Sequence, residues 1–75
     1  EPLLVTAPLE NGEHIDTSSH EGQEFEYVLE GTLRLIMGGR ELLLNEGDCI
    51  YFDSTIPHGM RSVGDKEAKM LVVIV

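Results

Sequence analysis

Two histidines and one glutamate stand out in this sequence because together they can bind a divalent metal ion. His20 and Glu24 are separated by three residues, and Gly22 lies between them where the chain can turn. His58 follows Pro57 and begins a predicted strand. Imidazole nitrogens and a carboxylate oxygen are ligands that first-row divalent metals accept, and three such ligands leave positions open for water or an organic molecule. The three residues therefore predict a metal site of the 2-His-1-carboxylate type.

Short segments between frequent glycines and prolines must position these side chains. The segments are rich in alternating apolar, β-branched and aromatic residues, a pattern that favours strands over helices. Eight strands and no helix are predicted, the strands covering residues 3–7, 13–17, 24–30, 32–37, 40–45, 48–53, 59–63 and 67–75. Many short strands without intervening helices indicate an all-β fold, a small sandwich or barrel that closes to cover its edges.

The clearest local unit is LRLIMGGRELLL, which predicts a tight hairpin. Gly38 and Gly39 can adopt the positive φ that a two-residue turn requires, and this turn pairs Met37 with Arg40. The register places alternate leucines on one inward face. Arg34 and Glu41 can then meet on the other, more exposed face.

The length of the chain limits what its core can stabilise. Its 75 residues suit one domain, residues 1–75, with one small core. The single cysteine, Cys49, cannot form an internal disulfide, so oligomerisation or a bound metal is the expected source of added stability. The last segment, EAKMLVVIV, is apolar on both faces, which is typical of a strand covered by its own barrel and by a second subunit. We therefore expect a homodimer.

The charge of the chain argues against two classes of partner. Fourteen acidic residues stand against five basic ones, which gives a net charge of -9. Direct contact with nucleic acid or anionic lipid requires a basic surface, so this domain is expected to make neither. The lone thiol, and the lack of a leader or of an apolar run of membrane-spanning length, predict a cytoplasmic protein. Because the chain begins at Glu1, it could be the C-terminal part of a longer protein.

Two motifs resemble those of the cupins, a family of small β-barrels. The first cupin motif, G-x5-H-x-H-x3 or 4-E-x6-G, is similar to the run from Gly12 to Gly31. His20 and Glu24 occupy the positions of its second histidine and its glutamate. Ser18 stands where the family has its first histidine, so the resemblance implies one metal ligand fewer than the usual four.

The second cupin motif, G-x5-P-x-G-x2-H-x3-N, is similar to residues 47–62. Gly47 and His58 match its glycine and histidine, and the spacing is kept. Asp53, Thr55 and Ser62 stand in place of its proline, second glycine and asparagine.

The resemblance to cupins implies a jelly-roll β-barrel with a metal site in its interior. The implied ligands are His20, Glu24 and His58, and the implied ion is divalent Zn, Fe, Mn or Ni. Ser18 and Met60 are expected to line the pocket in which a small-molecule ligand binds.

Three functions are compatible with this resemblance. The chain is similar to the cupin segment that follows the helix-turn-helix domain of bacterial transcriptional regulators, which implies a small-molecule-sensing domain with DNA bound by a separate N-terminal domain. The alternative is a small metal-dependent cupin enzyme, a dioxygenase or an isomerase. The third is a metal-free module that binds a carbohydrate or a small acid.

The other candidate residues have structural explanations. His14 and Asp16 are expected to be exposed in an outer strand, and Cys49 to be a small buried side chain. Glu26 shares the face of Glu24 and could point into the pocket. Three aromatic residues, Phe25, Tyr27 and Phe52, are expected in the core. Tyr51 could line the cavity.

Overall fold

The computed structural model describes residues 2–12 and 14–75, and these residues form strands and no helix. The strands are β1 (Pro2–Thr6), β2 (Gln23–Glu30), β3 (Leu33–Met37), β4 (Arg40–Leu44), β5 (Cys49–Asp53), β6 (His58–Ser62) and β7 (Lys69–Ile74). None of the described residues forms a helix that is long and apolar enough to cross a membrane. The predicted all-β fold class is confirmed.

The strands form two antiparallel sheets that enclose the core between them. The larger sheet has the order β1-β7-β2-β5 and the smaller has the order β4-β3-β6. Val28 and Met70 point inward from the larger sheet and Leu33 from the smaller, and all three are fully buried in one cluster. Burial of apolar surface between two sheets is the main stabilising term in a fold of this kind.

The predicted hairpin between β3 and β4 is confirmed in turn and register. Gly38 and Gly39 have φ of 55° and 80°, and Met37 pairs with Arg40 as expected. Inward Leu35 is fully buried, whereas Leu43 points outward from β4 and is 56% exposed. The outward Arg34 does meet Glu41: its Nη1 donates a hydrogen bond to Oε1 at 2.9 Å.

The predicted strand over residues 13–17 is wrong for residues 14–17, which the structure describes. Its first residue, Glu13, lies outside the described residues, and residues 14–17 form no strand. The chain on either side of these residues instead pairs with the two ends of β6, through single backbone bridges of Leu9 with Ser62 and of Ser18 with His58. Ile15 and Asp16 lie over the outer side of β6, where a Cβ on Gly59 would collide with the carbonyl oxygen of Asp16. Among the described residues 14–17 no strand is assigned, and the backbone bridges to β6 lie at Leu9 and Ser18, so no ladder forms there.

The exposure difference between two leucines of the hairpin gives a test of the core. We expect Leu35→Ala to lower the free energy of unfolding by about 2–5 kcal/mol, because it removes buried methyl groups and leaves a cavity. Leu43→Ala is the matched control and should change it by less than about 0.5 kcal/mol. Urea unfolding followed by circular dichroism measures both, and equal losses would contradict this assignment of the core.

Candidate metal centre

His20, Glu24 and His58 come together inside the barrel although they belong to three separate segments. Glu24 is on β2, His58 is the first residue of β6, and His20 precedes β2. One potential ligand atom from each lies within 4.8 Å of the other two. The distance from Oε1 of Glu24 is 3.1 Å to Nε2 of His20 and 3.4 Å to Nε2 of His58. Both imidazoles therefore approach the same carboxylate oxygen.

Backbone pairing holds the two histidines in position. The amide of His58 donates to the carbonyl of Ser18 at 3.0 Å, and the amide of Ser18 donates back at 2.9 Å. The amide of His20 donates to the carbonyl of Ser54 at 3.0 Å. These bonds join the segment before β2 to β6 and to the end of β5. Main-chain hydrogen bonds therefore determine where each imidazole lies.

The turn between His20 and Glu24 depends on a glycine. Gly22 has φ of 100°, which side chains other than glycine rarely adopt, and a Cβ there would collide with the carbonyl oxygen of Val75. This turn reverses the chain just before β2 and brings His20 back over Glu24. The sequence predicted a turn at this glycine.

The hydrogen bonds of the two imidazoles decide what their other nitrogens can do. Nδ1 of His58 donates to the carbonyl oxygen of Ile56 at 2.8 Å, and Nδ1 of His20 donates to that of Glu21 at 3.1 Å. In the neutral tautomer each Nε2 then carries a lone pair, and both lone pairs face an oxygen of Glu24. Such an arrangement is repulsive unless a proton or a metal ion lies between the groups. The same use of Nδ1 orients the histidines of metal sites, so these residues fit a metal ion.

The triad is buried on one side and reaches solvent on the other. The side chains of Glu24 and His58 are 5% and 7% exposed, whereas that of His20 is 39% exposed. The ring of Phe52 packs edge-on against His58 with centroids 4.9 Å apart, which fixes the buried imidazole. A small molecule would therefore approach from the side of His20.

Glu26 is a functional candidate that lies outside the predicted set of metal ligands. It lies two residues after Glu24 on the same face of β2 and is fully buried. Neither of its carboxyl oxygens has a hydrogen-bond partner of good geometry among the described residues, and the same holds for the hydroxyl of Ser54. Burial, and to a lesser extent the neighbouring carboxyl of Glu24, together raise the pKa of Glu26 from 4.5 to about 9. The period-two alternation of a strand was the signal that could have identified it.

The two residues expected in the ligand pocket lie in different surroundings. Ser18 is exposed and pairs with His58 through its backbone. Met60 is half-buried on the inward face of β6 and packs against the apolar core. Their role in ligand binding stays a prediction.

Several residues expected inside the barrel point outward instead. Cys49 and Tyr51 are exposed, and Phe25 and Tyr27 lie on the same outer side of the sheet as their cross-strand partners Tyr51 and Cys49, so the expected positions of all four in the interior are wrong. The reason is the phase of the strands: β5 turns Ile50 and Phe52 inward, and its odd-numbered residues must then face out. Phe52 is buried, as expected.

A separate cleft of about 380 Å³ lies outside the smaller sheet and includes no residue of the triad. Arg34 lines it and donates to Glu10 at 2.9 Å as well as to Glu41 at the same distance. His14 also lines this cleft and is exposed, as the sequence indicated. The guanidinium of Arg34 is therefore already paired with two carboxylates. The cleft is not part of the metal site, because it shares no residue with the triad.

The raised pKa of Glu26 predicts how stability depends on pH. Glu26 is protonated in the folded protein below about pH 9 but ionises near pH 4.5 when the chain unfolds, so its contribution is complete below pH 4.5 and is lost as the pH rises to about 9. Over this range the free energy of unfolding of the wild type should fall relative to that of Glu26→Gln as the pH rises, by roughly 1 kcal/mol per pH unit at most.

Urea unfolding in a chelating buffer, repeated at several pH values, measures this difference. Glu67→Gln removes one exposed carboxyl and serves as the control, whose profile should run parallel to that of the wild type. Parallel profiles for Glu26→Gln as well would contradict the prediction.

Comparison with known proteins identifies the fold family. The family model described as Cupin domain matches residues 6–74. A comparison with curated proteins found no match. Solved structures that resemble this chain include Fe(II) HppE in complex with substrate, which is 31% identical with a TM-score of 0.89 over 99% of this chain and 44% of its own.

Two further structures are similar to the same extent. Hydroxypropylphosphonic acid epoxidase from S. wedmorenis in complex with fosfomycin is 30% identical, with a TM-score of 0.89 over 99% of this chain and 42% of its own. Co(II) HppE in complex with Tris buffer is 30% identical, with a TM-score of 0.89 over 99% of this chain and 44% of its own. The chain thus spans less than half the length of these proteins. The family match and the structural likeness agree, and this chain belongs to the cupin family.

Proposed function

We propose that this chain is a metal-binding cupin domain in which His20, Glu24 and His58 hold one divalent ion. The observation that supports it is the orientation of the two imidazoles, whose Nδ1 atoms donate to backbone carbonyls while both Nε2 atoms face the same oxygen of Glu24. A cation between these atoms removes the repulsion. Zn, Fe, Mn and Ni are candidates, and the Fe(II) and Co(II) in similar structures favour an open-shell first-row ion.

A divalent ion at this site supplies a Lewis acid with open positions for a ligand or, if it is iron, a centre that can activate oxygen. The chain itself provides the surroundings. Phe52 restricts the buried side of the site, and His20 leaves the other side open to an entering molecule. Protonated Glu26 can offer a hydrogen bond in the interior, because both of its oxygens lack a well-formed partner among the described residues.

We further propose that the domain senses a small molecule for a bacterial transcriptional regulator. The net charge of -9 supports a division of labour in which this domain binds the small molecule and a separate domain binds DNA. Among the described residues no lysine or arginine is paired with the triad, so a cation that would anchor an anionic substrate is not evident. Sensing requires that the small molecule bind two states of the regulator with different affinity.

The intact gene product offers the first check of the sensing role. A helix-turn-helix domain is expected ahead of Glu1, and DNA affinity of the intact product should change when metal and small molecule are added. An intact product without a DNA-binding domain would contradict the sensing role but not metal binding.

The second candidate is a metal-dependent enzyme, and one comparison favours it. The similar structures include hydroxypropylphosphonic acid epoxidase and Fe(II) HppE in complex with substrate, which are 30% and 31% identical to this chain. The three ligands present here are also the type found in non-haem Fe(II) oxygenases. In this case the chain would use the same site for turnover rather than for recognition alone.

Elemental analysis tests the metal proposal directly. Protein purified without an affinity tag is expected to contain stoichiometric divalent metal, and His58→Ala should lose it, because removal of a ligand weakens binding by more than the roughly 10–100-fold that follows loss of an outer-shell partner. His14→Ala removes an exposed histidine outside the triad and should retain the metal.

Circular dichroism of each variant shows whether it is folded, and Glu24→Gln provides a second ligand substitution of nearly unchanged size. Metal retained in both folded ligand variants, or lost equally in His14→Ala, would contradict the proposed ligands.

Oxygen consumption separates the sensor from the enzyme. Fe(II)-loaded protein is mixed with a panel of small aromatic and thiol compounds, and the sensing role predicts no consumption above that of His58→Ala. Repeated turnover with any compound, absent in His58→Ala and present in His14→Ala, would instead establish the enzyme.

A further inference from the structure

Asn11 and Gly12 form a chemically reactive pair that lies outside the metal site. The side-chain amide of an asparagine can be attacked by the backbone nitrogen of the next residue, which makes asparagine one of the thermolabile residues. A glycine in that next position leaves the approach open, because it has no Cβ. The chain has one other asparagine, Asn45, and it is followed by Glu46. The sequence therefore contains one asparagine with a glycine after it and one without.

The structure leaves the backbone nitrogen of Gly12 accessible. Both Asn11 and Gly12 are exposed and lie outside the strands. Gly12 makes no backbone hydrogen bond to the described residues, and a Cβ built on it would have nothing within 4 Å apart from its neighbours in the chain. Its φ of 84° is one that other residues rarely adopt. The attacking nitrogen is therefore neither paired in the backbone nor crowded by distant parts of the chain.

The backbone is held on one side of this pair and not directly on the other. Before the pair, the amide of Glu10 donates to the carbonyl of Ser62 at 2.9 Å. After Gly12, the next backbone hydrogen bond among the described residues is made by Ser18. Exposed loop backbone opens at little cost in free energy, so the rotation that brings the nitrogen of Gly12 to the side chain of Asn11 is available.

Asn45 has the opposite surroundings. Its side-chain oxygen accepts a hydrogen bond from the hydroxyl of Thr32 at 3.2 Å, and its amide donates to the carboxylate of Asp48 at 2.8 Å. Its carbonyl oxygen accepts from the amide of Asp48 at 2.9 Å. These bonds hold both the side chain and the main chain. Asn45 is exposed as well, so it is an internal control for Asn11.

We propose that Asn11 is a site of spontaneous modification, at which the side-chain amide is replaced by a carboxylate. The backbone nitrogen of Gly12 loses its proton and forms a C–N bond to Cγ of Asn11, and the side-chain nitrogen takes up a proton and leaves as ammonia. Water then opens the resulting five-membered succinimide by breaking one of its two ring C–N bonds. Cleavage at Cγ gives aspartate at position 11, and cleavage at the backbone carbonyl gives isoaspartate. Water is the only co-reactant.

The modification changes both the charge and the main chain of this segment. A carboxylate at position 11 makes the net charge of -9 one unit more negative, next to Glu10 in the chain. Isoaspartate also adds one methylene group to the main chain between the bridges of Leu9 and Ser18. Glu10 and Gly12 line the outer cleft, so the change falls on the wall of that cleft. The backbone bonds that position the triad begin at Ser18, and the proposal does not depend on the metal site.

Mass spectrometry of the folded protein, incubated at neutral pH, tests the proposal. Peptides that contain Asn11 should gain the mass difference between an amide and an acid at least about tenfold faster than peptides that contain Asn45, because the hydrogen bonds of Asn45 must open first. Parallel incubation in urea gives the rate in the unfolded chain, and the folded rate at Asn11 should stay within about tenfold of it. Electron-transfer fragmentation should find both aspartate and isoaspartate at position 11.

Three substitutions separate the contribution of sequence from that of structure. Asn11→Gln keeps the amide but requires a six-membered ring, and Gly12→Ala places a Cβ beside the attacking nitrogen. Both should show no detectable change at this site in the time in which half of the wild type reacts. Glu46→Gly gives Asn45 the same following residue as Asn11, and Asn45 should still react more slowly in the folded protein because its side chain is bound.

Circular dichroism confirms that each variant is folded before its rate is compared. A folded wild type that reacts at Asn11 more than about tenfold more slowly than in urea overturns the proposal, since the fold would then protect this site. A folded Gly12→Ala that reacts as fast as the wild type also overturns it. Equal rates at Asn11 and Asn45 in folded Glu46→Gly would show that sequence alone sets the rate, and would overturn the assignment from structure.

Discussion

Two carboxyl groups on one face of β2 set the main electrostatic constraint on this small barrel. Glu24 and Glu26 are both buried, and two ionised carboxylates so close together in an interior would be strongly unfavourable. The fold treats them differently. Glu24 is met by imidazoles from two other segments, whereas Glu26 keeps its proton because burial raises its pKa. The pairing of Ser18 with His58 and the turn at Gly22 serve this arrangement, since they bring the histidines to Glu24.

The sequence predicted those features that follow from local spacing. The hairpin register followed from the glycine pair at 38–39, and the candidate triad followed from residue type and motif spacing. What it missed depends on strand phase and on cross-strand pairing. Nothing local in the sequence shows that β5 turns Phe52 inward and Cys49 outward, because Cys49 and Tyr51 on one face suit an interior about as well as Ile50 and Phe52 on the other. The strand predicted over residues 13–17 is wrong for a similar reason. The alternating residues do not reveal that the chain pairs with β6 only through single bridges at Leu9 and Ser18.

The small size of the chain limits the free energy that its core can supply. A core built from few residues buries a limited apolar area, and chains of this length often depend on a further source of free energy. Anything that binds only the folded state adds stability by mass action, whether it is an ion or another protein surface. The similar cupin structures belong to chains more than twice as long as the aligned part, so their domain has additional protein around it.

The alternation of side chains along β2 has an evolutionary consequence. Consecutive residues from 23 to 28 face opposite compartments, with Glu24 and Glu26 inside and Phe25 and Tyr27 outside. A change of one codon in this strand therefore alters the chemistry of the lumen or that of the exterior, and seldom both. Descendants of such a gene can diversify what the interior binds while conserving the outer surface, or the reverse, without first redesigning the scaffold.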